Sequence, residues 1–163
     1  MRRQSLIQLV VVAVVLAGCA TCKARPSVPS HPIEDHPVRL EGDALDEGER
    51  AMAALIRESK AELPHIRKRF EAGLREGEVL YLTVRLVHPD QSFEQAFVHV
   101  TEWTPQGVTG VMASELIRFT EPKRGDVLKF LESTAIDWTI TGPGGTEEGN
   151  RLGHYLESRG QQP

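Results

Sequence analysis

The stretch Val79-Leu-Tyr-Leu-Thr-Val-Arg-Leu86 decides the fold class. Leu80, Leu82, Val84 and Leu86 alternate with Val79, Tyr81, Thr83 and Arg85, a period of two that reads as a half-buried strand. Just before it the spacing is helical. Met52, Leu55, Ile56, Leu63, Ile66, Phe70 and Leu74 line one side, with Arg57, Glu58, Lys60, Arg67, Lys68 and Glu71 opposite. That is an amphipathic helix with a solvated charged side. Asp46 and Glu49 form a capping-box-like start, and Gly73 and Gly77 mark the end. Pro64 lacks an N–H and clashes with the preceding turn, which predicts a kink or two short helices.

Beyond Leu86, turns and short apolar runs alternate. His88-Pro-Asp-Gln-Ser92 turns into a second strand, Phe93 to Trp103, and Thr104-Pro-Gln-Gly107 into a third, Val108 to Ala113. Glu121-Pro-Lys-Arg-Gly125 precedes a fourth, Asp126 to Leu131, and Ile136, Trp138 and Ile140 mark a fifth. Gly142-Pro-Gly-Gly145 then leads into a short helix, Thr146 to Glu157, with Thr146 as N-cap and Leu152, Tyr155 and Leu156 as its apolar side. The expectation is an α+β domain over residues 46–158. A kinked N-terminal helix (or two short ones) packs on a curled antiparallel sheet of about five strands, followed by a short C-terminal helix. Residues 159–163 read as a disordered tail.

The N-terminus has a different character. Arg2 and Arg3 precede an apolar run from Leu6, and Leu16-Ala17-Gly18-Cys19 closes it with small residues. Charged start, short apolar core and small-residue cleavage site form a secretory signal over residues 1–18. Leu6 to Gly18 spans thirteen positions before Thr21, Lys23 and Arg25 end it, short of the roughly 20 that a spanning helix needs. The tetrapeptide resembles the lipobox of bacterial lipoproteins. That resemblance implies cleavage before Cys19 and lipidation of its sulfur and amino group, palmitate among the acyl chains. Two chains at about 0.8 kcal/mol per buried methylene suffice to hold a protein at a membrane. Ala20 in place of Asp implies sorting to the periplasmic face of an outer membrane, if the organism has two membranes.

Residues 19–45 read as the lipidated cysteine and a tether. Pro26, Pro29, Pro32 and Pro37 punctuate it, and at about 3.1 Å per residue such a segment reaches roughly 60–70 Å. His31-Pro-Ile-Glu-Asp-His36 reads as solvated linker rather than as a metal site. Cys19 and Cys22 are the two cysteines. With the first acylated, no redox or zinc pair remains, and the domain must hold together by packing.

Charge narrows the partners. The formal net charge is −4, and removal of Arg2 and Arg3 with the leader takes it to −6. That argues against nucleic acid, which calls for a basic face. The 40% of hydrophobic residues suits one packed core.

Ala51 to Leu74, with Leu63-Pro64 ahead of Phe70, resembles the opening helix of the YegJ-like bacterial domain of unknown function. So do Gly110-Val-Met112, Lys123-Arg-Gly-Asp126 and, most specifically, Ile136-Asp137-Trp138 followed by Gly144-Gly-Thr146. The likeness covers residues 46 to 152. In the second strand the family usually has an acid shortly before a tryptophan, where this chain has Glu94 and then Phe97. The family's arginine soon after Gly-Gly-Thr is matched only by Arg151, five residues on. Having no established reaction, the family implies a fold and domain limits.

Asp137 is the leading candidate for chemistry. Alternation sends Ile136, Trp138 and Ile140 to one face and Asp137 with Thr139 to the other. The carboxylate is then either a ligand or acid/base group facing Gly144, Gly145 and Thr146, or an acceptor for backbone N–H groups. Glu94 and His99 are the catalytic partners available to it, and Ser114 with His99 and Asp137 makes a possible nucleophilic set without a glycine elbow. Trp138 reads as a core anchor and Trp103 as the more exposed tryptophan. Phe93, Phe97, His99 and Trp103 fall on one face of the second strand, and Ala96, Val98 and Val100 on the other. Trp103, Phe97, Asp137, Gly144, Gly145 and Thr146 are thus the binding candidates. No metal and no cofactor are expected. The leading expectation is a non-catalytic, lipid-anchored domain that binds another envelope protein or a cell-wall component. A weak hydrolase of envelope polymers and an immunity or inhibitor-like protein are the alternatives.

Overall fold

The computed structural model describes residues 29, 33, 43–90 and 93–160. The expected leader, Cys19, Cys22, residues 161–163 and all of the expected tether before 43 except Pro29 and Ile33 lie outside the described residues. The order is α1 (Asp43–Ala72), β1 (Val79–Val87), β2 (Phe93–Thr104), β3 (Gly107–Met112), β4 (Val127–Phe130), β5 (Ala135–Gly142), β6 (Thr146–Gly149) and α2 (Arg151–Gly160). Single 3-10 turns precede β5 and β6. The strands form one antiparallel sheet in the order β4-β3-β2-β1-β5-β6. The α+β class therefore holds, with six strands rather than about five.

The sixth strand replaces the first turn of the expected C-terminal helix. Gly144 and Gly145 sit at φ +73° and +77°, a left-handed conformation that glycine adopts without steric cost. The turn brings Thr146 opposite Gly142 and Gly149 opposite Thr139, so Thr146 starts a strand and caps no helix. α2 begins at Arg151 and includes Arg159 and Gly160, which the sequence reading placed in the tail.

α1 begins at Asp43 and runs as one helix through the exposed Pro64, not as two. Packing on both sides of the proline holds it. Met52, Leu55 and Ile56 cluster with Phe93, Ile136, Leu152 and Tyr155. Leu63, Ile66, Phe70 and Leu74 cluster with Leu80, Leu82, Trp103, Trp138 and Ile140. β6 pairs only with Thr139–Gly142, and α1 covers β5 ahead of that point, where Lys60 Nζ donates to the Ser133 carbonyl at 2.8 Å.

β1 is buried on both faces from Leu80 to Val84, so it is a central strand rather than a half-buried one. Two bulges then reset the alternation. In β2 the pairing with β3 shifts between Val100 and Glu102, which turns Trp103 to the face of Val100. In β5 the register shifts between Asp137 and Ala135, so Ile136 leaves the face of Trp138 and Ile140 and joins Met52 and Leu152. One extra residue moves every later side chain to the other face.

Candidate functional site

Asp137 is fully buried and its carboxylate joins three elements. Oδ1 accepts from the Ser59 hydroxyl of α1 at 2.6 Å and from the Trp138 backbone N–H at 2.9 Å. Oδ2 accepts from the Leu152 backbone N–H in the first turn of α2 at 2.8 Å. The residue before that helix, Asn150, is held at φ +53° and spends its side-chain amide on Glu147 Oε1 at 3.0 Å. Asp137 thus does from β5 what a helix cap ordinarily does.

A second bond set lies alongside. Arg151 grips Glu62 through two bonds of 2.8 and 2.6 Å, and Trp138 Nε1 donates to the same carboxylate at 3.0 Å. The Arg151 hydrogen bond, aided by Trp138, holds the Glu62 carboxyl below the usual range against a smaller opposing push from burial. Sequence reading missed this pair because each residue looks like an ordinary solvated helix charge, and 89 positions separate them.

The other candidates are dispersed. Glu94 pairs with Leu86 and Asp137 with Thr83, so the two carboxylates lie on opposite faces of the sheet. Glu94 instead holds the loop after β3, accepting from the Ile117 and Arg118 backbone N–H groups at 2.7 and 2.8 Å, with His88 Nε2 at 3.0 Å. The His88 ring stacks on Phe119 at 3.6 Å. Burial pushes the Glu94 carboxyl up, but these N–H donors and His88 together bring it below its ordinary value.

His99 shares the face of Asp137 but stands two strands away. Its register partner is Tyr81, whereas that of Asp137 is Thr83. Strand spacing and rise put the two about 12 Å apart, beyond direct proton transfer. Burial lowers the His99 pKa. The Ser114 hydroxyl is buried and accepts from the Phe97 backbone N–H at 2.9 Å, a structural task. The expected hydrolytic sets are therefore not assembled.

The aromatic candidates are corrected too. Trp103 is 5% exposed and Trp138 4%, so Trp103 is no surface platform. The β2 bulge turns it inward, where its indole N–H donates to Glu132 Oε2 at 2.9 Å and its ring meets Phe70. Phe97 is half-buried, edge-on to Tyr81. Gly144, Gly145 and Thr146 are exposed in the β5–β6 turn, about 17 Å along the strand from Asp137. The glycine turn and the carboxylate do not form one site.

The concave surface lies elsewhere. Two adjoining shallow depressions, of about 380 and 510 Å³, share Thr104, Gln106, Gly107 and Leu131, and Leu131 is 63% exposed. Among the described residues no cluster of three or more His, Cys, Asp or Glu is placed to hold a metal. Among them too, no helix is long and apolar enough to cross a membrane. No family model, curated protein or solved structure matches the chain.

Proposed function

We propose that this chain is a bacterial lipoprotein, held at a membrane of the cell envelope by lipid on Cys19. Its α+β domain binds another envelope protein or a cell-wall component without catalysing a reaction. The anchor half of this reading rests on Leu16-Ala17-Gly18-Cys19 behind a charged, apolar leader. The likeness to the YegJ-like domain belongs to the same reading and rests on Ile136-Asp137-Trp138 and Gly144-Gly-Thr146.

The observation that carries the non-catalytic part of the reading is the saturation of Asp137. Its oxygens hold donors from α1, β5 and α2, and Glu94, on the opposite face, is spent on two loop amides. An acid–base pair needs two carboxyl groups within about 5–10 Å across a shared space. These two face away from each other, and both are engaged.

Two measurements test the reading. Mass spectrometry of the protein extracted from membranes should find Cys19 at the mature N-terminus carrying acyl chains. Full-length, unmodified protein in the soluble fraction would overturn the anchor. Crosslinking at native expression followed by pull-down from solubilised membranes should recover a specific envelope partner or wall fragment. Recovery of the chain alone would count against binding.

A further inference from the structure

Ile33, thirteen residues ahead of the expected domain start at Asp46, is buried at 8% exposure. It packs with Tyr81 and Ala113, and Val79 and Phe97 lie against the same cluster. That patch is the face of β1 and β2 opposite to Leu80, Leu82 and Val98.

Next to Ile33 this face is polar and short of partners. His99, Tyr81 and Thr139 stand in one row across β2, β1 and β5, and Thr83 lies one step along. Among the described residues the Thr83 and Thr139 hydroxyls and His99 Nδ1 are buried with no hydrogen-bond partner, whereas the Tyr81 hydroxyl meets the Ile33 backbone amide. Buried polar groups are nearly always paired, so three in one patch mark a surface shaped for a bound polar group. All three hydroxyls can donate, and so can the imidazole. Donors in a row suit carboxylates.

The surroundings favour an acidic occupant as well. Burial raises the Tyr81 pKa, while the Ile33 backbone amide and the Arg124 charge oppose that rise. The amide therefore lies against this hydroxyl, and the Arg124 charge is in its neighbourhood. Arg124 makes no ion pair among the described residues, and the two residues that follow Ile33 are Glu34 and Asp35.

We propose that the Tyr81–His99–Thr139 face is a docking surface for an extended acidic peptide, occupied in cis by this chain's own residues 31–36 with Ile33 as the buried anchor. On the lipid-anchor reading, docking shortens the free tether from about 70 Å to about 45 Å. A partner segment offering an aliphatic residue followed by two acids competes for the same face, and its binding lets the domain stand further from the bilayer.

The docking is testable apart from lipidation. In the full chain, Ile33→Ser should speed trypsin cleavage after Arg39 about tenfold or more, the effect of losing one buried aliphatic anchor, while Ile33→Val should leave it nearly unchanged. A fluorescently labelled synthetic peptide of residues 29–38 should bind the Ile33→Ser chain at least tenfold more tightly than the parent, whose own segment holds the face. Adding Arg124→Glu should weaken that binding several-fold, as should neutralising Glu34 and Asp35 in the peptide. Unchanged cleavage in Ile33→Ser would overturn the cis docking, as would equal peptide binding by the parent and variant chains. Undiminished affinity of the neutralised peptide would overturn its acidic character. Circular dichroism that matches the parent confirms that the variants fold.

Discussion

The Leu152 backbone N–H donates to the Asp137 carboxylate at 2.8 Å, so a side chain of the fifth strand caps the helix that ends the domain. Asn150 does not do so: its side-chain amide donates to Glu147, and its Oδ1, lying over Gly153, accepts no hydrogen bond among the described residues. The same carboxylate takes Ser59 of α1. One residue therefore fixes how the first and last helices meet the sheet.

Asp137→Asn should destabilise the domain. An amide in place of one oxygen turns N–H donors towards Ser59 or towards a backbone N–H. A donor stranded in this way costs about 1–3 kcal/mol. Urea unfolding should give a lower midpoint at an unchanged slope. Ser59→Ala leaves both backbone donors satisfied and should cost less, about 1 kcal/mol. An Asp137→Asn midpoint equal to the parent's would refute the capping role.

Trp103 should behave as a core residue. Its fluorescence, isolated in a Trp138→Phe background, should be blue-shifted and poorly quenched by acrylamide. Trp103→Ala should cost about 3–5 kcal/mol, the usual loss for a buried aromatic. Free quenching would restore the surface role that simple alternation suggests.

The Glu94 clamp should open in acid. Its folded-state pKa is lowered, so the stabilisation it gives is complete above the ordinary carboxylate pKa of 4.5. It is lost as pH falls through the lowered folded value. Amide exchange at Ile117 and Arg118, corrected for intrinsic rates, should lose protection over that range. In Glu94→Gln both amides should be weakly protected already at neutral pH, and a variant that kept the parent's pH profile would argue against the clamp.

Two glycines of the last hairpin should respond differently to alanine. At Gly149 (φ +87°) a Cβ would collide with the Trp138 carbonyl oxygen and ring, and that carbonyl already accepts the Asn150 N–H at 2.9 Å. At Gly145 (φ +77°) a Cβ would meet nothing within 4 Å. Gly145→Ala should therefore cost only the left-handed backbone penalty, about 1–2 kcal/mol, and Gly149→Ala clearly more. Thermal melts of the two variants would rank them, and equal losses would contradict the close approach of Gly149 to Trp138.

Much of the fold is legible along the chain. The switch from helical spacing at Leu63, Ile66 and Phe70 to alternation at Leu80, Leu82 and Val84 locates α1 and β1. The turns at Pro105-Gln-Gly107 and Lys123-Arg-Gly125 separate β2, β3 and β4. The candidate site is less legible. Asp137 stands out as a polar residue in an apolar strand, but nothing near it in sequence names Ser59 or Leu152 as its partners.

What the chain determined by itself is what local periodicity and turn chemistry can encode: a helix and a set of antiparallel strands. Tertiary structure alone decided the rest. The bulges at Thr101 and Ile136 add single residues that no period of two announces, and they turned Trp103 inward and separated Ile136 from Trp138. Pro64 passes inside an unbroken helix because packing on both of its flanks outweighs one lost hydrogen bond. Asp137 became a cap because a strand and a helix apart in sequence were brought within 3 Å of each other. Such contacts depend on where the sheet twists and which edge α1 covers, and neighbouring residues do not carry that information.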